Sequence, residues 1–91
     1  MAKVYLADPV NELLKNFSPV DLWAVDRAIG FLEDDSTRES DKIDLALVEN
    51  GYKVWGLQVG NVWLAFVETD NDSVTVVHVS LVSRFRYPGG K

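Results

Sequence analysis

The sequence predicts an α+β domain in which an N-terminal strand and a helical hairpin pack on one face of a small antiparallel β-sheet. Apolar residues recur at helical spacing within the first third of the chain. After residue 42, alternating or continuous apolar runs are separated by tight-turn signals, which is typical of strands. With 91 residues, the chain is expected to form a single domain, 1–91, with the element order β-α-α-β-β-β.

The N-terminal part predicts one strand and two helices. Lys3–Ala7 alternates as a short strand. Asp8–Pro9 and Ser18–Pro19 each predict a helix start, because Asp or Ser caps free N–H groups and proline fits the first helical position. The apolar stripe of the second helix consists of Leu22, Val25, Ile29 and Leu32, widened by Trp23 and Phe31. Residues 34–41 contain no apolar side chain, and we expect a solvent-exposed loop there.

The rest of the chain predicts strands joined by turns. Asn50–Gly51 favours a type I′ turn, because that turn needs positive φ at both central residues. Gly60–Asn61 predicts a second tight turn. The strands are predicted at Tyr52–Val59, Val62–Glu68 and Val74–Ser83, with an additional short strand at Ile43–Leu47 left open.

Strand periodicity divides the side chains between two faces of the sheet. In the last strand, one side suits packing under the helices; it carries Thr75, Val77, Val79 and Leu81. The other side then carries His78, Ser80 and Arg84, and also Arg86 if the strand continues. A short helical hairpin covers only one face, so we expect Lys53, Trp55 and His78 to gather on an open face. The alternative is that Trp55 and Trp63 are ordinary core residues.

Composition and charge limit the classes of function that we expect for the chain. The net charge is −5, which argues against sequence-independent nucleic-acid binding. Three basic residues fall in the last eight positions, where an anion site and a solvated tail are the alternatives. The chain has no cysteine and one histidine, so we expect no disulfide, metal or other cofactor. No apolar run approaches a membrane span and no secretory signal is recognisable, so the chain is expected to be cytoplasmic.

Three segments resemble the RelE/ParE superfamily of bacterial toxins from toxin–antitoxin modules. They are Tyr52–Gly60 (YKVWGLQVG), Val62–Val67, and Val76–Leu81 leading into Arg84-Phe85-Arg86. The resemblance implies the same two-layer fold and a cognate antitoxin as partner. Many members of the superfamily cleave mRNA on the ribosome, and others inhibit DNA gyrase without cutting anything.

The resemblance also implies candidate catalytic residues. Lys53 falls where nuclease members place a catalytic lysine, and Arg84 falls at the arginine after the last strand. Arg86 and Tyr87 lie where further basic and tyrosine residues appear. Such groups activate the ribose 2′-OH and stabilise the transition-state phosphate, so an active chain would be a metal-independent endoribonuclease. His78, the only histidine, is a candidate general acid or base.

The chain departs from the nuclease pattern at two places. Trp55 stands where a second lysine is expected, and Asn61–Trp63 stands where an arginine is usual. The second hypothesis is therefore a non-enzymatic protein-binding module, either similar to a gyrase inhibitor or an inactive toxin homologue. An unrelated α+β interaction domain is the third.

Overall fold

The described chain forms one five-stranded sheet covered on one face by three helices. A computed structural model describes residues 2–70 and 72–82. The helices are α1 (Asp8–Leu14), α2 (Pro19–Glu33) and α3 (Asp35–Asp41). The strands are β1 (Lys3–Leu6), β2 (Ile43–Glu49), β3 (Tyr52–Val59), β4 (Val62–Asp70) and β5 (Ser73–Leu81). The predicted α+β class is confirmed, and the segment after residue 42 is a full strand.

The strand order is β1-β5-β4-β3-β2, so the first strand pairs with the last described one. That pair is parallel, with Lys3 opposite Ser73 and Leu6 opposite Val76. The other three pairs are antiparallel. A parallel pair needs a long crossover, which α1, α2 and α3 and the remaining strands supply.

The turns of the β2–β3 and β3–β4 hairpins form where the sequence predicts them. Asn50 and Gly51 have φ of 52° and 83°, which is the type I′ combination. Gly60 has φ of 59° and Asn61 lies outside the positive-φ region, which is the type II′ combination. Primed turns match the right-handed twist of the flanking strands, so they fix the register of β2–β3 and β3–β4.

The main core lies between the sheet and the helices. Val10 of α1 and Val25, Ala28 and Leu32 of α2 are buried against strand residues that include Phe66, Leu57 and Leu64. We call this side of the sheet the helix-covered face. The predicted α2 stripe is corrected at three residues. Trp23 is 63% exposed, with the Arg27 guanidinium 5.4 Å from its ring centroid, and Leu22 and Phe31 are 40% and 39% exposed.

The helix starts agree with prediction in one case and differ in the other. The Ser18 hydroxyl accepts a hydrogen bond from the Asp21 amide at 3.2 Å, as expected of an N-cap. The expectation that Asp8 caps α1 is wrong. Asp8 is already helical, and Ala7 is the cap without a side-chain hydrogen bond.

The expectation of a loop at residues 34–41 is also wrong, because α3 occupies Asp35–Asp41. The Asp34 carboxylate caps this helix by accepting from the amides of Ser36 at 3.0 Å and Thr37 at 3.2 Å. Apolar periodicity missed the helix, since α3 docks through a charged residue. Arg38 is only 6% exposed.

Arg38 ties α3 to both α2 and the sheet. Its guanidinium donates to the Leu32 carbonyl at 2.5 Å, to Asp35 at 3.0 Å and to Glu68 of β4 at 2.9 Å. Lys42 also donates to Glu68, at 3.1 Å. Burial disfavours the charged form of Arg38, but the Glu68 and Asp35 carboxylates more than offset this and raise its pKa. The buried, hydrogen-bonded guanidinium of Arg38 therefore holds α3 to α2 and β4, where an apolar helix face would usually do so.

A β-bulge in β5 changes which residues face the helices. Phe66 pairs with Val76 and Ala65 pairs with His78, so Val77 is the extra residue of a two-against-one bulge. The expected assignment of Thr75 and Val77 to the helix-covered face is therefore wrong. The residues of β5 that face the helices are Val74, Val76, Val79 and Leu81.

We expect Arg38→Met to lower the free energy of unfolding by about 2–4 kcal/mol, because it leaves the Leu32 carbonyl unpaired and removes one partner of Glu68. The measurement is urea denaturation with comparison of the m-value. The control is Lys15→Met, which removes an ion pair to Glu12 whose side chains are 70% and 72% exposed. That change should cost less than about 0.5 kcal/mol. Equal effects of the two variants would contradict the role given to Arg38.

Acid should weaken the α3 cap. The Ser36 hydroxyl and the Thr37 and Ser36 amides hold the pKa of Asp34 below its ordinary 3.8. A lowered folded-state pKa gives stability that is present above pH 3.8 and is lost as pH falls through the lower folded value. Asp34→Asn keeps an acceptor for the cap and removes the titration. We therefore expect a shallower stability decrease below about pH 4 for this variant in pH-dependent urea melts. An unchanged profile would show that this carboxylate is not a source of the acid sensitivity.

Candidate functional site

The side of the sheet opposite the helices is an apolar surface that no described helix covers. Its centre is a separate cluster of Val54, Ala65 and Val67, with Leu45 and Val77 packed against it. We call this side the uncovered face. Cross-strand register and alternation place these further residues on it: Lys3, Tyr5, Ile43, Leu47, Glu49, Tyr52, Trp63, Thr75, His78 and Ser80.

Large apolar side chains at the edges of this face are open to solvent. Leu47 is 59% exposed, Ile43 53% and Tyr5 53%, although their strands also carry polar residues. An exposed apolar patch on a sheet of a small protein is typical of an interaction surface.

A groove of about 410 Å³ runs across the β2 side of the uncovered face. Leu45 and Leu47 line one side, and Trp63 and His78 line the other. Gly56 makes room for the Trp63 indole, because a Cβ at Gly56 would lie 2.5 Å from Cζ2 of that ring. The position of the Trp63 ring in the groove therefore depends on the absence of a side chain at Gly56.

The uncovered face carries little charge among the described residues. Lys3 is the one lysine or arginine that the register places on it, since its neighbour Val4 packs in the opposite core. Glu49 lies at the far edge, on β2. Phosphate binding needs several cations, so this face does not provide an RNA-binding surface within the described ranges.

The expectation that Lys53 and Trp55 lie on the open face is wrong. Trp55 packs against the helix-covered core, and Lys53, two residues earlier in β3, shares its side. Lys53 is paired with Asp44 at 3.2 Å, and its Nζ lies 5.1 Å from the Trp55 ring centroid. Because the bulky Trp55 ring packs against the core, it determines which residues of β3 face the helices. Lys53 lies two residues away and therefore faces the same side.

The predicted catalytic residues do not come together in the described structure. His78 is exposed on the uncovered face, as predicted, opposite Ala65 of β4. Lys53 lies on the other face of the sheet. Arg84, Arg86 and Tyr87 lie outside the described residues. No general acid–base pair is therefore formed by Lys53 and His78.

His78 also borders a second cavity of about 380 Å³. This cavity lies between the end of α1 and the last residues of β5, and Leu13 and Phe17 supply its apolar wall. Its polar groups are Asn16, Ser80 and His78. Among the described residues that line this cavity there is no lysine or arginine, which are the side chains that stabilise a transition-state phosphate.

Within residues 2–70 and 72–82, no group of three or more histidine, aspartate or glutamate side chains is arranged to hold a metal ion. No helix among these residues is long and apolar enough to cross a bilayer.

Leu45 and Leu47, central to the groove, were missed as functional residues. The signal was present in Ile43–Val48, where four of six residues are large and apolar in a solvent-facing edge strand.

Compared with models of known protein families and with curated proteins, the chain matches none.

A pair of glycine substitutions tests the position of Trp63. Gly56→Ala should destabilise the fold by about 1–3 kcal/mol, because the new methyl group would overlap the indole and approach Leu45 at 3.1 Å. Gly30→Ala is the control, since nothing lies within 4 Å of a Cβ there and its φ is not positive. It should stabilise α2 by about 0.5–1 kcal/mol. Chemical denaturation gives both values, and a neutral Gly56→Ala would contradict this placement of the ring.

Proposed function

We propose that the chain is a non-enzymatic, RelE/ParE-like protein-binding module of a toxin–antitoxin type system, and that the uncovered face carries the binding. One observation supports this most strongly: the face exposes Leu47 and Ile43 by more than half and presents few charges. Burying such a surface against another protein gains hydrophobic free energy at little electrostatic cost.

The RelE/ParE resemblance is compatible with this proposal, since some members of that superfamily act on a protein target. The partners it implies are a cognate antitoxin and such a target. Ribosome-dependent mRNA cleavage is less well supported. The net charge is −5, and Lys53 is paired with Asp44 on the face opposite His78.

Site-specific photocrosslinking in a bacterial host tests where binding occurs. Benzoylphenylalanine in place of Leu47 should crosslink the chain to a protein, since this side chain lies in the groove. The control position is Val20 on α2, which is 74% exposed beside Trp23. We expect no protein adduct there. Protein adducts at Val20 alone would move the binding site to α2 and contradict the proposal.

A cleavage assay separates the binding module from the nuclease. The purified chain is mixed with translating ribosomes, and transcript ends are mapped by primer extension. We expect intact transcripts. Cleavage that is lost in both Lys53→Ala and Arg84→Ala would establish the ribonuclease hypothesis and overturn the proposed function.

A further inference from the structure

We propose that the protein partner of the uncovered face is a second copy of this chain, and that the two copies form a symmetric dimer with their sheets face to face. This inference rests on the proposed binding role of that face. It commits to one arrangement: a two-fold axis parallel to the strands, passing between the two copies at the level of β4.

The size of the face fits a dimer interface. Five strands about 4.8 Å apart and four to nine residues long, at about 3.3 Å per residue, give a flat area on the order of 600 Å². Side chains add relief to that area. A standard protein interface buries about 800 Å² per partner, so one sheet face supplies roughly the surface that a stable dimer needs.

The distribution of charge favours self-association through this face over any other. Nine acidic residues lie from Asp8 to Asp41 inclusive, in or beside the helices on the other side of the sheet. Two copies with a net charge of −5 each repel one another when these sides meet. Sheet-to-sheet packing holds the acidic layers farthest apart.

Among the side chains described on the uncovered face, two carry opposite charges, Lys3 and Glu49, and they are placed for reciprocal pairing. Lys3 lies opposite Ser73, and Ser73 lies opposite Asp70 at one end of β4. Glu49 lies opposite Tyr52, and Tyr52 is level with that same end of β4 because Val54 pairs with Val67. Lys3 and Glu49 therefore stand at opposite edges of the sheet on the same cross-strand level.

The proposed two-fold axis makes these charges meet. Rotation by 180° about an axis parallel to the strands reverses the strand order and preserves the level along each strand. Strand β1 of one copy then lies opposite β2 of its partner, and Lys3 of each copy lies opposite Glu49 of the other. Aligned strands are one of the two arrangements that packed sheets adopt. The contact is isologous, as a two-fold dimer requires.

Leu47 lies on β2 two residues before Glu49, and the cross-strand pairs place it level with Tyr5 of β1. The proposed axis therefore sets Leu47 opposite Tyr5 of the partner subunit. Together with Leu45, Val54 and Trp63, Leu47 lines the groove, which the partner's side chains would fill. A carboxylate introduced at Leu47 would be buried against that aromatic side chain, and it would stand beside Glu49, so Lys3 of the partner subunit would face two carboxylates and could neutralise only one of them.

Sedimentation equilibrium of the purified chain tests the dimer. We expect a dimer at micromolar concentration for the wild type and for Val20→Glu, and a dissociation constant at least about a hundredfold higher for Leu47→Glu. Both substitutions add one negative charge at an exposed apolar residue, so they are matched in net charge. A wild-type chain that stays monomeric at about 100 µM, or a dimer indifferent to Leu47→Glu, overturns the proposal.

A charge swap tests the arrangement of the dimer. Lys3→Glu and Glu49→Lys should each weaken the dimer by about tenfold, because each places like charges opposite one another at two equivalent sites. The double variant Lys3→Glu/Glu49→Lys should return to within about threefold of the wild type. Additive weakening in the double variant overturns the proposed axis.

The outcomes separate this inference from the proposed function. A monomeric purified chain that crosslinks in cells through position 47 to a different protein overturns the dimer and leaves the binding function standing. A purified dimer that cleaves ribosome-bound transcripts overturns the proposed function and leaves the dimer standing.

Discussion

The buried Arg38 guanidinium is the interaction on which the helical layer depends at its C-terminal end. It joins three elements, because Leu32 lies in the last turn of α2, Asp35 begins α3 and Glu68 lies on β4. Lys42 shares the Glu68 carboxylate and packs 4.2 Å from the Trp55 ring centroid, so the charge cluster continues into an aromatic contact. Charge pairing thereby brings the chain from the helices to the edge of the sheet, where β2 begins.

The two faces of the sheet differ because the helices pack against one of them. Trp55, Leu57 and Phe66 are used in the helix-covered core, and Lys53 follows Trp55 to that side. What remains for the other face is a second apolar cluster around Ala65. The function of the chain is therefore argued from apolar surface, and the cationic site expected at the outset is absent from the part of the sheet that the structure describes.

Local signals in the sequence predicted local structure well. Asn50–Gly51 specifies its turn through the φ values that only certain residues tolerate, and Ser18–Pro19 specifies a helix start through one hydrogen bond. The features that were missed depend on distant partners. Arg38 stabilises α3 through Glu68, 30 residues away, and no pattern within residues 34–41 contains that information.

The assignment of faces failed at a break in the strand pattern. Alternation in the last strand changes phase at Val76 and Val77, which are adjacent apolar residues, and the bulge lies at this break. Alternation correctly grouped Lys53 with Trp55, but it could not say which side the helices would choose. The candidate catalytic set was therefore predicted by resemblance, while the apolar groove around Leu47 emerged from the three-dimensional arrangement.

The parallel pairing of β1 with β5 has a consequence for folding. The two strands are about 70 residues apart in the chain, and the Lys3 amide donates to the Asp72 carbonyl at 2.6 Å while the Ala7 amide donates to the Val76 carbonyl at 3.0 Å. Strand β1 cannot form its backbone hydrogen bonds to β5 until β5 has been synthesised. Such high contact order slows folding, and a nascent chain on the ribosome carries an unpartnered apolar segment until β5 emerges.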